Sequence, residues 1–219
     1  MGTNYIAPTW RMPENANKDR LSNYSLDLVD GNSEKINFPE KNFAGSNGAV
    51  SYSYWIKPDS FSGNDYGYIL SNTLEGTTGG LAINEGGSGG GGIPGSIYYY
   101  NGGGGAGIYV ISTAMTSDTW YHVVNVFDTG GEIRTYINGN LDKTTTNVPT
   151  PYKTTWDTMF RYSNSANPHY VSGSFSEFSI FDYALTDGTN GTVNQIEYLY
   201  NLNNPMAISG AEPVAYWPL

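Results

Sequence analysis

The chain has 219 residues, with 28 Gly, 11 Pro, 19 Tyr, 5 Trp and no Cys, and its 10 basic and 20 acidic residues give a formal charge of −10. Without Cys it can form no disulfide, no thiolate zinc site and no thiol nucleophile. So few basic residues argue against nucleic acid, which needs clustered Lys and Arg to neutralise phosphates, and against anionic membranes.

No apolar run approaches the roughly 18–20 residues of a spanning helix, and the first twenty residues have no apolar core resembling a signal peptide. Charged residues make up 14% and aromatics 15%. Surface polarity must therefore rest on Gly, Ser, Thr and Asn, a composition of strands and turns.

Residues 1–22 carry two prolines and no usable periodicity, and read as an extended arm. Its apolar residues Tyr5, Ile6, Trp10 and Met12 are expected to be buried by neighbours in an assembly. Residues 23–219 read as one domain. From Tyr24 onward, short β-type runs alternate with turn signals: Y-S-L-D-L-V before D-G-N-S, K-I-N-F before P-E, and A-V-S-Y-S-Y-W-I before K-P-D-S. Further strands are predicted at Gly67–Ser71, Leu81–Asn84, Ser96–Tyr100, Ile108–Thr113, Trp120–Phe127, Glu132–Ile137, Leu141–Thr145, Met159–Tyr162, Ser174–Phe181 and Val214–Trp217. That number of short strands suits two stacked sheets of six or seven. The clearest hairpin is E-I-R-T-Y-I-N-G-N-L-D-K, where Asn138-Gly139 supplies the two positive-φ positions of a type I′ turn.

Between Gly76 and Gly107 lie 15 of the 28 glycines. The runs L-A-I-N and S-I-Y-Y-Y inside this stretch alternate like strands, so it reads as hairpins with glycine tips and not as a linker. One helix is predicted at Gln195–Asn201, with Thr192 and Gln195 as a capping box and Ile196, Leu199 and Tyr200 on one face.

Four segments, in order, carry a family resemblance. T-W-Y-H-V-V-N-V-F-D-T-G-G-E-I-R-T-Y-I-N-G (Thr119–Gly139) resembles the central signature of laminin-G-like, concanavalin A-like jelly rolls. Tyr24–Phe38 is similar to the opening hairpin of that family, Val50–Pro58 to its T-I-S-x-W-V-K-P strand, and Gly173–Thr186 with the following helix to its closing strand and helix. Ser176 stands where the family usually has Asp, and Asp187–Val193 lengthens the approach to the helix.

The resemblance implies an all-β fold, a two-sheet antiparallel jelly-roll sandwich with one short helix near the C-terminus. It also implies a binding or adhesive module, although hydrolases share the fold. W-R-M-P-E-N (Trp10–Asn15) and Y-W-P-L (Tyr216–Leu219) resemble phrases of phage-borne laminin-G-like proteins. The expected role is thus a non-enzymatic virion surface protein: a capsid decoration, fibre or tail component facing bacterial glycans. Its expected partners are capsid or other virion proteins through the arm, a cell-surface glycan, and further copies of the chain. The alternatives are a cellular or extracellular lectin-type adhesin and a glycoside hydrolase.

A glycosidase needs two carboxylates about 5–5.5 Å or about 6.5–9.5 Å apart. Glu177 and Asp182 in S-F-S-E-F-S-I-F-D are five apart and so fall on opposite faces of a regular strand. No catalytic residue is assigned. His122 is expected to be a hydrogen-bonded core histidine and His169 a solvated loop residue.

No cofactor is required. Relatives often carry a structural calcium ion, and Asp30–Asn32, Asp65, Asp128 and Asp182 are oxygen-bearing loops where one would fit, with no ligand set assigned. Tyr98, Tyr100 and Asn101, flanked by glycine tips, form the candidate ligand face, with Trp156 as a second loop aromatic. Tyr98 and Tyr100 either stack on sugars or anchor a protein, or are ordinary outer-face residues of a sheet whose Tyr99 is core.

Overall fold

A computed structural model describes residues 25–29, 34–61, 66–72, 79–86, 93–102, 107–162, 169–202, 205–208 and 211–219. The arm residues Tyr5, Ile6, Trp10 and Met12, and the calcium candidates Asp30–Asn32 and Asp65, lie outside these segments.

The described strands form two stacked antiparallel sheets. The first has the order β1 (Leu26–Leu28), β14 (Gly173–Phe181), β3 (Val50–Pro58), β8 (Tyr121–Phe127), β9 (Ile133–Ile137) and β10 (Asn140–Thr145), with β15 (Ala215–Trp217) also paired to β14. The second runs β2 (Ile36–Asn42), β11 (Thr155–Met159), β4 (Tyr66–Ser71), β5 (Gly80–Asn84), β6 (Ile97–Tyr100) and β7 (Ile108–Val110). A separate short ribbon pairs β12 (Arg161–Tyr162) with β13 (His169–Tyr170).

Alternation along β3 shows why the sheets stack. Tyr52, Tyr54 and Ile56 point into the space between them, with Val123 and Phe127 of β8, Phe175 and Phe178 of β14, and Leu81, Ile83 and Tyr99 of the facing sheet. The Tyr54 and Phe178 rings stack at 5.2 Å. Each such side chain, fully buried, contributes about 1.5–3 kcal/mol.

The intervening residues of β3, Ser51, Ser53 and Trp55, are buried as well. Their face is covered by the C-terminal segment, whose helix α1 (Gln195–Leu202) puts Ile196 and Leu199 against Val124, Val126, Tyr136 and Phe181. Ser51 stays satisfied by donating to the Tyr183 carbonyl and accepting from the Leu185 N–H.

Several sequence expectations shift. The helix is capped by Asn194, whose Oδ1 accepts from the Glu197 N–H at 2.9 Å while its Nδ2 donates to the Glu197 carboxylate. Gln195 instead accepts from Thr186, so the box sits two residues later than the Thr192 pattern implied. Phe160, at φ 68°, breaks the predicted Met159–Tyr162 strand between β11 and β12. His169 is half-buried in β13, opposite Tyr162, and not a solvated loop residue. The Asn138-Gly139 turn has φ values of 51° and 80°, as a type I′ hairpin requires.

Candidate functional site

The predicted ligand face does not present its aromatics to solvent. Tyr98 and Tyr100 sit on the outer side of the second sheet but are 0% and 8% exposed, packed with Tyr68 and Ala82. Tyr66 stands edge-on to Tyr98 at 5.4 Å, and Tyr68 stacks on Tyr100 at 5.5 Å. The Tyr98 hydroxyl accepts from the Ile93 N–H. Burial, then the neighbouring Tyr68 and Tyr66, push the Tyr100 phenol far up. These rings satisfy one another and leave little face for a sugar.

Trp156 corrects the sequence reading more sharply. It lies within β11, not in a loop, and is wholly buried between the sheets, its indole N–H donating to the Tyr52 hydroxyl at 2.9 Å. Asn101 is a clamp. Its Oδ1 accepts from the Tyr99 hydroxyl and the Lys153 N–H, and its Nδ2 donates to the Pro149 carbonyl at 2.7 Å.

That clamp leads to the open cleft at one end of the sandwich. Three connections meet there: residues 43–49 between β2 and β3, 128–132 between β8 and β9, and 146–154 between β10 and β11. They enclose about 430 Å³, lined by Asn42, Ala44, Gly45, Ser46, Asn47, Gly48, Thr129, Thr150, Pro151, Tyr152 and Thr154. Among the described residues no charged side chain lines it, and the volume falls in the range of small-molecule sites.

Each wall is held by local chemistry. Asn42 and Asn47 accept from the Ala44 and Ala49 N–H groups, forming Asx turns, and Gly48 takes φ 85° between them. A Cβ on Gly45 would lie 1.9 Å from the Asp182 carbonyl, so this loop lies hard against the end of β14. The Val148 N–H donates to the Gly131 carbonyl and the Phe43 N–H to the Thr154 carbonyl, joining the loops to one another. Tyr152 forms part of the floor, its hydroxyl on the Glu132 carbonyl and its ring edge-on to Phe127 at 5.2 Å. Burial, then the negative charge of Asp128, push its phenol up to about 12.

Sequence reasoning missed this cleft because its segments, A-G-S-N-G, D-T-G-G-E and N-V-P-T-P, look like ordinary turns. Their neutral amides and hydroxyls were the available signal. Only the topology brings them to one end.

Other polar groups are disposed differently. Ser53 Oγ lies 3.0 Å from His122 Nε2, and the His122 ring touches both Trp55 and Tyr200, which also stack on each other at 5.9 Å. His122 is thus buried and hydrogen-bonded as expected, but beneath α1 and not between the sheets. Ser53, Trp55 and His122, with Glu177, Leu199 and Pro205, line a void of only about 10 Å³, room for about one water and for no substrate. Glu177 occupies a bulge at φ 54° and receives the Tyr216 hydroxyl. The bulge overturns the strand-parity reasoning applied to Glu177 and Asp182; burial separates them instead, Glu177 being 4% exposed and Asp182 exposed.

Among the described residues no three Asp, Glu, His or Cys side chains gather into a metal-holding group. Asp128 Oδ1 already accepts from the Gly130 N–H. No described helix is long and apolar enough to cross a membrane.

Two sheets in this order, a helix closing one outer face and a loop-built cleft at one end define a concanavalin A-like jelly roll. The family model for the concanavalin A-like lectin/glucanases superfamily matches residues 30–189. The chain belongs to that laminin-G-like family. No curated protein sequence matches it. Among solved structures it is similar to a candidate carbohydrate binding protein from Bacteroides ovatus, with TM-score 0.60, 19% identity, and coverage of 89% of this chain and 50% of that one. It is similar to the enzymatically active domain of bacteriophage CBA120 tailspike protein 2, with TM-score 0.56, 16% identity, and coverage of 89% and 29%. It also resembles domain 4 of an extracellular arabinanase from Geobacillus stearothermophilus in complex with arabinotriose, with TM-score 0.53, 20% identity, and coverage of 76% and 72%. The chain thus spans half the length of the first and under a third of the tailspike structure. These likenesses concern the fold.

Proposed function

We propose that this chain is a non-catalytic glycan-binding jelly roll on a virion surface, and that the end cleft is its glycan site. The observation that carries the reading is the cleft itself, large enough for a saccharide and lined by amides, hydroxyls and a proline, with no carboxylate pair among the described residues. The family supports it, as do the carbohydrate binding named for the Bacteroides ovatus protein and the arabinotriose bound to the arabinanase domain. The tailspike likeness supports placement on a phage particle as a capsid decoration, fibre or tail component. In this reading the arm residues Tyr5, Ile6, Trp10 and Met12 dock onto a neighbouring virion protein or a further copy of the chain, and a structural calcium ion is an optional component.

The test is affinity electrophoresis of the purified chain through bacterial surface polysaccharides, with a reducing-sugar assay alongside. Retardation without release of reducing ends is expected. Sustained turnover lost in Glu177→Gln would replace the reading with a glycosidase. Stoichiometric recovery of the chain in purified particles tests the virion placement, and its absence there would favour a cellular adhesin.

A further inference from the structure

We infer that the end cleft selects uncharged saccharides, and does so through neutral side-chain hydrogen bonds without a bridging cation. The inference rests on the glycan-binding reading and goes further by naming the ligand class. Its ground is the state of the polar groups around the cleft.

Asn42 and Asn47 each commit Oδ1 to the backbone, and Asn42 Oδ1 also accepts from the Thr154 hydroxyl at 2.7 Å. Their Nδ2 groups donate to none of the described residues, and both side chains are exposed. Two amides whose oxygens are held by turns therefore line the cleft, with Nδ2 groups not engaged by the described residues. The hydroxyls of Ser46, Thr129 and Thr150 are exposed on the same rim and make no hydrogen bond to the described residues. Hydroxyls both donate and accept, as sugar hydroxyls do.

Charge complementarity points the same way. The carboxylate of an acidic sugar would call for Arg or Lys, and among the described residues none lines the cleft. Calcium-mediated sugar binding would call for carboxylates, and among the described residues none lines it either. The exposed ring of Pro151 offers the apolar patch against which the C–H face of a sugar can lie. Because the loops are already tied by backbone bonds, little ordering entropy opposes binding.

The test uses the full chain and isothermal titration with cellotriose, mannotriose and arabinotriose as neutral probes, and with trigalacturonate and sialyllactose as acidic ones. At least one neutral probe is expected to bind, with affinity unchanged by EDTA and between low and high NaCl. Asn42→Asp and Asn47→Asp preserve the accepted hydrogen bonds and replace the Nδ2 donor by a negatively charged acceptor oxygen, so each is expected to weaken that binding about tenfold with the unfolding midpoint retained. Should either fail to fold, Ser46→Ala and Thr150→Val test the same claim at exposed rim positions, with a several-fold loss expected. Binding of acidic probes only, loss of neutral binding in EDTA, or neutral binding indifferent to the variants would overturn the inference and leave glycan binding standing. Failure of every probe to bind would instead remove the glycan-binding reading, and the inference with it.

Discussion

The outer tyrosine face of the second sheet and the end cleft make opposite use of polar surface. Tyr66, Tyr68, Tyr98 and Tyr100 are the residue type most associated with sugar stacking, yet they pack on one another, and Tyr98 is fully buried. Asn42, Ser46, Asn47, Thr129 and Thr150 are unremarkable turn residues, yet they are exposed and line a common cleft. Residue type suggests what a side chain can do, but accessibility and prior hydrogen bonding decide whether it is free to do it.

The largest effect expected from breaking this contrast is at Trp156. Trp156→Ala removes a wholly buried indole and its bond to Tyr52, and should cost about 3–5 kcal/mol in urea unfolding. Were Trp156 a ligand residue, affinity would fall and stability would hold. Tyr98→Ala should behave alike, at about 3 kcal/mol, with glycan affinity retained in the folded fraction. Preserved stability with lost affinity would return the site to the tyrosine face.

Asn101→Ala connects the two regions, since Asn101 lies just beyond the tyrosine strand and holds the loop that walls the cleft. Losing its bonds to Tyr99, Lys153 and Pro149 should cost about 1–3 kcal/mol and weaken glycan binding together with it. Limited proteolysis should then open the chain near residues 149–153.

The smallest effect is a pH dependence away from both regions. Burial pushes the Asp187 carboxyl up, but hydrogen bonds from Thr189 and Tyr136, with Arg134 3.8 Å away, overcome it and hold it at about 2. Its folded value lies below the ordinary 3.8, so its contribution is present above 3.8 and is lost as pH falls toward about 2. Asp187→Asn should flatten that part of the acid-unfolding profile; an unchanged profile would show that the contact carries no linkage.

Much of the sandwich was legible because its signals are local. Asn138-Gly139 fixes a hairpin by φ alone, and the alternation of Tyr52, Tyr54 and Ile56 places β3. The burial of Trp156 left no mark because K-T-T-W-D is polar around it, and it depends on β2 and β4 closing on either side of β11. The face of Glu177 escaped for a related reason: a bulge resets alternation and leaves no periodic mark. The cleft was the least legible feature, since its walls come from segments up to about a hundred residues apart that are joined only by the fold.

The central claim, that recognition belongs to the end cleft and not the tyrosine face, is tested most directly by amide chemical-shift mapping during titration with a neutral trisaccharide that binds. Shifts concentrated at Ala44, Gly48, Thr129 and Thr150 are expected. Shifts confined to Tyr66, Tyr68, Tyr98 and Tyr100 would contradict it.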